Sequence, residues 1–316
     1  MAILSKSNVE ALIPVENQKE IIKSAVQASK VLSLSTRLAN MSRGQRRVPV
    51  MSVLPHAYFV DGVPGDTPTA NTAGFKQTTS AAWENVYINA EEVACIAPIP
   101  ISVLEDADYD IFGEIQPYIA QAFGTVIDKA ILYGTNKPTS WPDGVVTQAK
   151  AAGYEKAIGT TGPDLWDAFL GDGGIVSIVE ESGAFPTGIL AKTSMRGKIR
   201  GAKDSTGQPL FRNSAQETQT YTIDGIPIEF DMTDVLSDFA VTGDWSKLVY
   251  SVRTDMTYKV LSEAVIQDPE TKAIIYNLAQ QDMVALRCYM RLGWALPKPV
   301  NPFGRRLPFA VMVANP

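Results

Sequence analysis

Chemistry that needs a nucleophile, a metal or a phosphate cradle finds few starting points in this chain of 316 residues. Its one histidine, His56, has no serine or cysteine motif around it. A Ser-His-Asp or Cys-His arrangement therefore has little support, and a structural or surface imidazole is the simpler reading. Cys95 and Cys288 lie far apart in sequence with no ligand types beside them, which reads as two reduced, half-buried thiols, not as a disulfide framework or a zinc site. The run Gly171-Asp172-Gly173-Gly174 lacks the lysine and the preceding apolar strand of a phosphate loop and reads as a turn. Glu105, Asp106, Asp108 and Asp110 could in principle hold a metal, but they stand just ahead of a helical pattern, whose dipole stabilises carboxylates there. No carboxylate pair can be singled out from 34 acidic residues by spacing alone, so a glycosidase-type site is neither supported nor excluded. No cofactor and no metal is expected, and a structural role is favoured by elimination.

The elements around these residues are those of a mixed protein. With 45% apolar and 20% charged residues the chain can bury a substantial core, while 23 glycines and 20 prolines imply many turns and extended excursions. No apolar run is long enough to span a membrane, and the N-terminus lacks a basic-then-apolar signal, so a cytoplasmic protein with no membrane partner is expected. From Asn17 to Leu38 apolar residues recur loosely at helical spacing, predicting a short amphipathic helix that frays into an arm. Met41–Pro49 reads as a basic linker ending at a domain boundary.

Residues 50–60 look strand-like, residues 61–73 hold only Val63 as a sizeable aliphatic, and Gly74–Ala97 is strand-like again. A slip of the apolar phase at Glu91-Glu92 reads as a β-bulge, making 50–97 one long hairpin. Such an isolated ribbon would be marginal in water and should lean on a neighbouring subunit. The i, i+4 series Ile111, Ile115, Ile119, Phe123, Ile127 and Ile131 predicts the longest helix, over Tyr109–Tyr133, either kinked at Pro117 or starting there, with Gly134 as its stop. Beyond it, 145–258 alternates short apolar runs with turns, as a compact α+β subdomain would. Leu165–Phe169 and Ser194–Ala202 read as helices, and Gly188–Ala191, Gln219–Ile223, Ile226–Phe230 and Leu248–Val252 as strands. Met283–Trp294 is strongly apolar and Leu307–Val313 reads as a last strand.

The net charge of -6 hides an asymmetry: residues 1–47 carry eight Lys or Arg against three Glu, a basic arm on an acidic body. A solvated helix face with ordinary lysines is the alternative.

Four segments then resemble, in order, the landmarks of tailed-bacteriophage major capsid proteins. They are Trp83-Glu84-Asn85-Val86-Tyr87-Ile88 through Glu91-Glu92-Val93-Ala94 to Ile99-Pro100-Ile101-Ser102; Ala130-Ile131-Leu132-Tyr133-Gly134 with Lys137-Pro138 and Pro142-Asp143-Gly144-Val145; Met195-Arg196 to Ile199-Arg200 with Lys203–Leu210; and Gln281–Arg287 with Arg291-Leu292-Gly293. The resemblance implies an α+β, Hong Kong 97-type capsid fold, with an N-terminal arm (1–49), an extended β-hairpin loop and its return strand (50–97), a peninsular domain with a long spine helix (98–144 and 259–304) and an axial domain (145–258 and 305–316). It also implies a non-enzymatic subunit that assembles with itself into the hexamers and pentamers of an icosahedral shell around packaged double-stranded DNA. The loop residues Val63, Phe75, Lys76 and Trp83 would touch a neighbouring subunit. The arm residues Lys19, Lys23, Lys30, Arg37, Arg43, Arg46 and Arg47 would face the interior and neutralise phosphates without reading bases; pairing with the acidic body of an adjacent subunit is the competing reading. Only a short arm stands where some relatives carry a cleaved scaffolding segment, which implies a separate scaffold or none; portal and decoration proteins are further expected partners. Some relatives link subunits through Lys–Asn bonds, but neither Lys76 nor Asn301 sits in an alignable motif and no such chemistry is assigned. The nearest rival is an encapsulin, a compartment shell of the same fold; a hydrolase and a decoration or tail protein stand further off.

Overall fold

The structure, a computed structural model, describes residues 29–55, 57, 79–106, 110–159, 162–203, 206–208, 221–268 and 270–314. Helix α1 (Lys30–Leu34) and the two-residue strand β1 (Thr36–Arg37) lead to a hairpin of β2 (Gln45–Val53) and β3 (Ala82–Asn89). After Ala90 come β4 (Glu91–Pro100), α2 (Ile101–Asp106) and α3 (Ile111–Tyr133). The middle of the chain holds α4 (Val145–Ala151), β5 (Glu155–Ala157), α5 (Gly162–Leu170), α6 (Ile175–Glu181), β6 (Gly188–Lys192), α7 (Thr193–Gly201), β7 (Thr222–Ile223), β8 (Ile226–Asp231) and β9 (Ala240–Gly243). Then follow the long strand β10 (Val249–Leu261), the small strands β11 (Val265–Gln267) and β12 (Ile274–Asn277), the long strand β13 (Met283–Ala295) and finally β14 (Phe309–Val313).

The chain divides into two units, cut at 95/96, 119/120, 259/260 and 287/288. The larger contains a six-stranded mixed sheet in the order β5-β14-β9-β6-β8-β7. Helices α4 and α6 lie against its strand β14. Two apolar clusters fill this unit. One joins Val31, Ile127, Ile131, Trp141, Trp245, Trp294 and Phe309, with Trp245 edge-on to Phe309 at 5.1 Å. The other joins Phe169, Ile175, Val179, Ile189, Met195, Ile199 and Met312. Within α3, Phe123, Ile127 and Ile131 are buried at i, i+4 spacing, as the sequence pattern requires. In the smaller unit, residues 260–287 carry the antiparallel β11–β12 hairpin, with Val265, Ile274 and Ile275 exposed.

Several expectations change. Met41–Pro49 is no linker: Gln45 begins β2, and Pro49 pairs with Asn85 inside the ladder. The phase slip at Glu91-Glu92 is no bulge. There the chain leaves the hairpin for a second sheet, ordered β1-β10-β13-β4, so the hairpin's described legs have only 9 and 8 residues. Gly293 makes this possible, because a Cβ there would strike the Asn89 carbonyl at the switch. Pro117 lies inside α3, not at its start, leaving the Gly113 carbonyl without its helical donor. Gly134 does end α3, in the left-handed conformation at φ +71. Sequence reading missed α2, α4, α6, β5, β9, β11 and β12, it ran the first helix to Leu38 where α1 stops at Leu34 and β1 follows, and it saw only the first part of β10. No helix among the described residues is long and apolar enough to cross a membrane.

Candidate functional site: cationic arm and hairpin face

The arm reaches the body through one buried carboxylate. Asp128 is 4% exposed on α3; its Oδ1 accepts from the Ser29 hydroxyl at 2.5 Å and its Oδ2 from the Lys30 N–H at 3.2 Å. Ser29 Oγ in turn accepts from the Leu32 N–H at 3.0 Å, capping α1. Gly124, one turn earlier on α3, lets the Ser29 backbone approach. Val31 then drops into the core with no exposed surface, a burial that contributes about 1.5–3 kcal/mol. Burial pushes the Asp128 carboxyl up to about 7; the Ser29, Val31 and Lys30 hydrogen bonds oppose the shift and nearby Asp231 adds to it. Asp231 moves the other way despite its burial, because Thr233, Leu236 and Val235 donate to it and hold its carboxyl below the usual range.

Among the described residues the arm's cations do not form one patch. Lys30 Nζ meets Glu229 at 2.8 Å. Arg37, on β1, lies 3.7 Å from Asp255 and donates to Asn40 at 3.1 Å. Arg46 donates to the Ala39 carbonyl at 2.5 Å. Arg46 and Arg47 are consecutive on β2 and so point to opposite faces of it. Arg43 and Arg47 are exposed, with no ion-pair partner among the described residues. Lys19 and Lys23 lie outside the described residues, as do His56, the loop tip 61–73 with Val63, and Phe75 and Lys76.

Trp83 is described, and it is 65% exposed on β3. The register places Trp83 opposite Met51, Asn85 opposite Pro49 and Tyr87 opposite Arg47 on one face of the hairpin. Tyr87 is 49% exposed. Two exposed aromatics with an arginine and a proline make this ribbon face unlike an ordinary solvated strand. Sequence reading singled out Trp83 but missed Tyr87, whose alternation with buried Ile88 was the available signal. The hairpin is braced toward its loop end: Val300 N–H donates to the Met51 carbonyl at 3.1 Å, and Arg305 meets Glu84 at 2.5 Å.

The sequence landmarks also have physical roles. Lys137 donates to the Trp141 carbonyl at 3.1 Å and lies 3.3 Å from Asp143, closing the turn after α3. Arg291 pairs with Glu92 at 2.6 Å across neighbouring strands. Met195 and Ile199 are the buried face of α7, and Arg196 donates to the Tyr221 hydroxyl at 3.0 Å. A profile of the phage capsid family matches residues 10–303, almost the whole chain.

The chain belongs to the phage capsid family.

The major capsid protein of Staphylococcus phage 80alpha is 24% identical over 277 residues, covering 86% of this chain and 78% of that protein. A solved chain of Microbacterium phage Oxtober96 matches with a TM-score of 0.82 at 28% identity, over 99% of this chain and 100% of that one. One of Mycobacterium phage Cain gives 0.83 at 28% identity, over 99% of each. This capsid protein thus has the α+β, Hong Kong 97-type fold, is a component of the virion and builds a shell with copies of itself. The family is a structural one and not a class of enzymes. The encapsulin alternative is not favoured.

Proposed function

We propose that this major capsid protein forms the hexamers and pentamers of an icosahedral shell enclosing double-stranded DNA, with no catalytic turnover of its own. The family match over residues 10–303 carries the reading. The exposed hairpin face of Trp83 and Tyr87 supports it, since such a face on a lone subunit wants a cover. In this reading the tip 61–73, with Val63, Phe75, Lys76 and Trp83, lies on a neighbouring subunit. The contact is heterologous, one subunit's loop on a different patch of the next, as rings require. Lys19, Lys23, Lys30, Arg37, Arg43, Arg46 and Arg47 are read as the interior cations that neutralise DNA phosphates non-specifically, Arg43 foremost because its charge is free of ion pairs among the described residues, while Arg47 shares the hairpin face of Trp83 and Tyr87 and is the one a neighbouring subunit's acidic surface would claim. The division into arm, extended loop, peninsular and axial regions is retained, with the hairpin starting at Gln45 inside the expected arm and its return strand leaving at Glu91, and the six-stranded sheet, with strands at 155–157 through 309–313, supports the axial assignment. Assembly takes place in the bacterial host cytoplasm, with a separate scaffold or none, and portal and decoration proteins are the further partners this reading expects. Electron microscopy with light scattering of the purified protein is the test: closed shells or free capsomers are expected. A strictly monomeric protein at high concentration, with and without a scaffold, overturns the reading.

A further inference from the structure

Cys95 on β4 and Cys288 on β13 are far apart in sequence, but β4 and β13 are neighbours in one sheet. Two observations fix their register. Glu92 pairs with Arg291 at 2.6 Å, and the Ile101 N–H donates to the Asp282 carbonyl at 2.9 Å. Three steps along β4 from Glu92 and three back along β13 from Arg291 reach Cys95 and Cys288; six further steps each way reach Ile101 and Asp282. The two cysteines therefore face each other directly in an antiparallel pair. Val93 and Met290, which the same register opposes, pack on one apolar cluster, as that alignment demands. Cys288 is fully buried and Cys95 is partly exposed. Burial pushes the Cys288 thiol up to about 11, and the adjacent Cys95 thiol adds to the shift. Tyr258 on β10 is their neighbour: burial raises its phenol first, then Cys288 and Cys95.

We propose that Cys95 and Cys288 are an oxidisable dithiol that closes to an intrachain cross-strand disulfide when a small disulfide oxidant reaches Cys95. Directly opposed residues of a hydrogen-bonded antiparallel pair have Cα atoms about 5.5 Å apart, inside the range that disulfides span. Their Cβ atoms must draw together by about 1 Å, a small adjustment for two side chains already in contact. With oxidised glutathione, the Cys95 thiolate attacks one sulfur, the glutathione S–S bond breaks and one glutathione leaves as its thiolate. Cys288 then gives up its proton and attacks the Cys95 sulfur of the mixed disulfide. The second glutathione leaves and takes up a proton. The protein loses two protons and two electrons, and one oxidised glutathione becomes two reduced ones. Cys95 starts the sequence because it is the accessible thiol; Cys288, buried and held protonated, resolves it.

The site is a property of the single chain, while its use rests on the shell reading. A shell built in a reducing cytoplasm and released to oxidising surroundings would meet the oxidant only after assembly. The bond would tie β4 to β13 at Cys95 and Cys288, the residues at which both strands leave the larger unit.

The test uses the full-length protein at a concentration too low for assembly, in glutathione buffers of increasing oxidised share. Both thiols are expected to disappear together from a thiol titration, with the intact mass falling by two hydrogens and a peptide map joining Cys95 to Cys288. The unfolding midpoint should rise by roughly 5–10 °C over the reduced protein. Cys95→Ser should keep one unreactive thiol and show no rise, and Cys95→Ala serves if the serine variant folds poorly. The inference is overturned if both thiols survive a buffer that oxidises the urea-unfolded chain. It is equally overturned if Cys95 takes a glutathione that Cys288 never displaces, or if only links between chains form. Because single subunits are measured, failure here leaves the shell reading standing, and failure to build shells leaves the disulfide standing.

Discussion

At the scale of the residue, Asp128 governs how firmly the arm is held. Its carboxyl lies near 7 in the fold against 3.8 in the unfolded chain. A raised carboxyl stabilises the fold fully below the unfolded value, and that contribution is lost as pH rises through the folded one. Unassembled subunits should therefore become less stable between pH 4 and pH 7, by an amount of order 2–4 kcal/mol from this group. Asp128→Asn should remove that slope and be the more stable form at pH 8; a denaturation series showing the same slope in both proteins would sink the idea. The exposed aromatics make a different prediction. Trp83→Ala with Tyr87→Ala should change subunit stability by no more than about 0.5 kcal/mol, because neither side chain is buried. Light scattering should show shell formation slowed or lost in the same variant, and normal assembly would remove this face from the contact surface.

Among the elements, the hairpin of β2 and β3 is the one whose purpose lies outside its own subunit. Replacing residues 61–73 with a short Gly-Ser turn should leave near-native circular dichroism, since the tip has only Val63 as a sizeable aliphatic to offer a core. It should abolish closed shells; shells of normal size and heat resistance would reduce the loop to an ornament. How much of this was visible in the sequence follows from the range of each signal. Helix α3 was legible from its i, i+4 isoleucines, and β6, β8 and β14 from short apolar runs, because those patterns are local, whereas β13 showed only as an apolar stretch of unassigned type. The switch between β3 and β4 looked like a bulge, because a change of partner and a slipped register shift the alternation alike. The facing of Cys95 and Cys288 and the role of Asp128 were hidden, since both depend on tertiary neighbours. The arm's charge was legible from counting, but not that β2 turns Arg46 and Arg47 to opposite sides.

For the whole molecule, the basic arm and acidic body bear on what the shell encloses. Arg43→Gln should leave the subunit folded and assembling, because its guanidinium is exposed and has no ion-pair partner among the described residues. Binding of duplex DNA by the protein should weaken alike for every sequence, and its salt dependence should flatten by about one counterion per lost phosphate contact. An unchanged salt slope would favour pairing of this cation with another subunit's acidic surface instead.

Any protein made to gather with its own copies risks gathering in the wrong geometry, and strand β4 bears on that risk. It ends its sheet among the described residues, and since the Ile101 N–H points to Asp282, the residue just ahead of β13, the alternation of the strand turns its even positions outward, 98 and 100 the last of them. Both are prolines. The open margin thus lacks a donor at the last two of its outward positions, which weakens any ladder a stray strand could form there and disfavours ribbon-like stacking of one chain on the next. Association is left to side-chain surfaces, which can close on themselves as backbone ladders cannot. Restoring the donors with Pro98→Val and Pro100→Val should divert part of the protein into thioflavin-positive fibres in place of shells; clean shells from that variant would show that the prolines serve only the turn into α2.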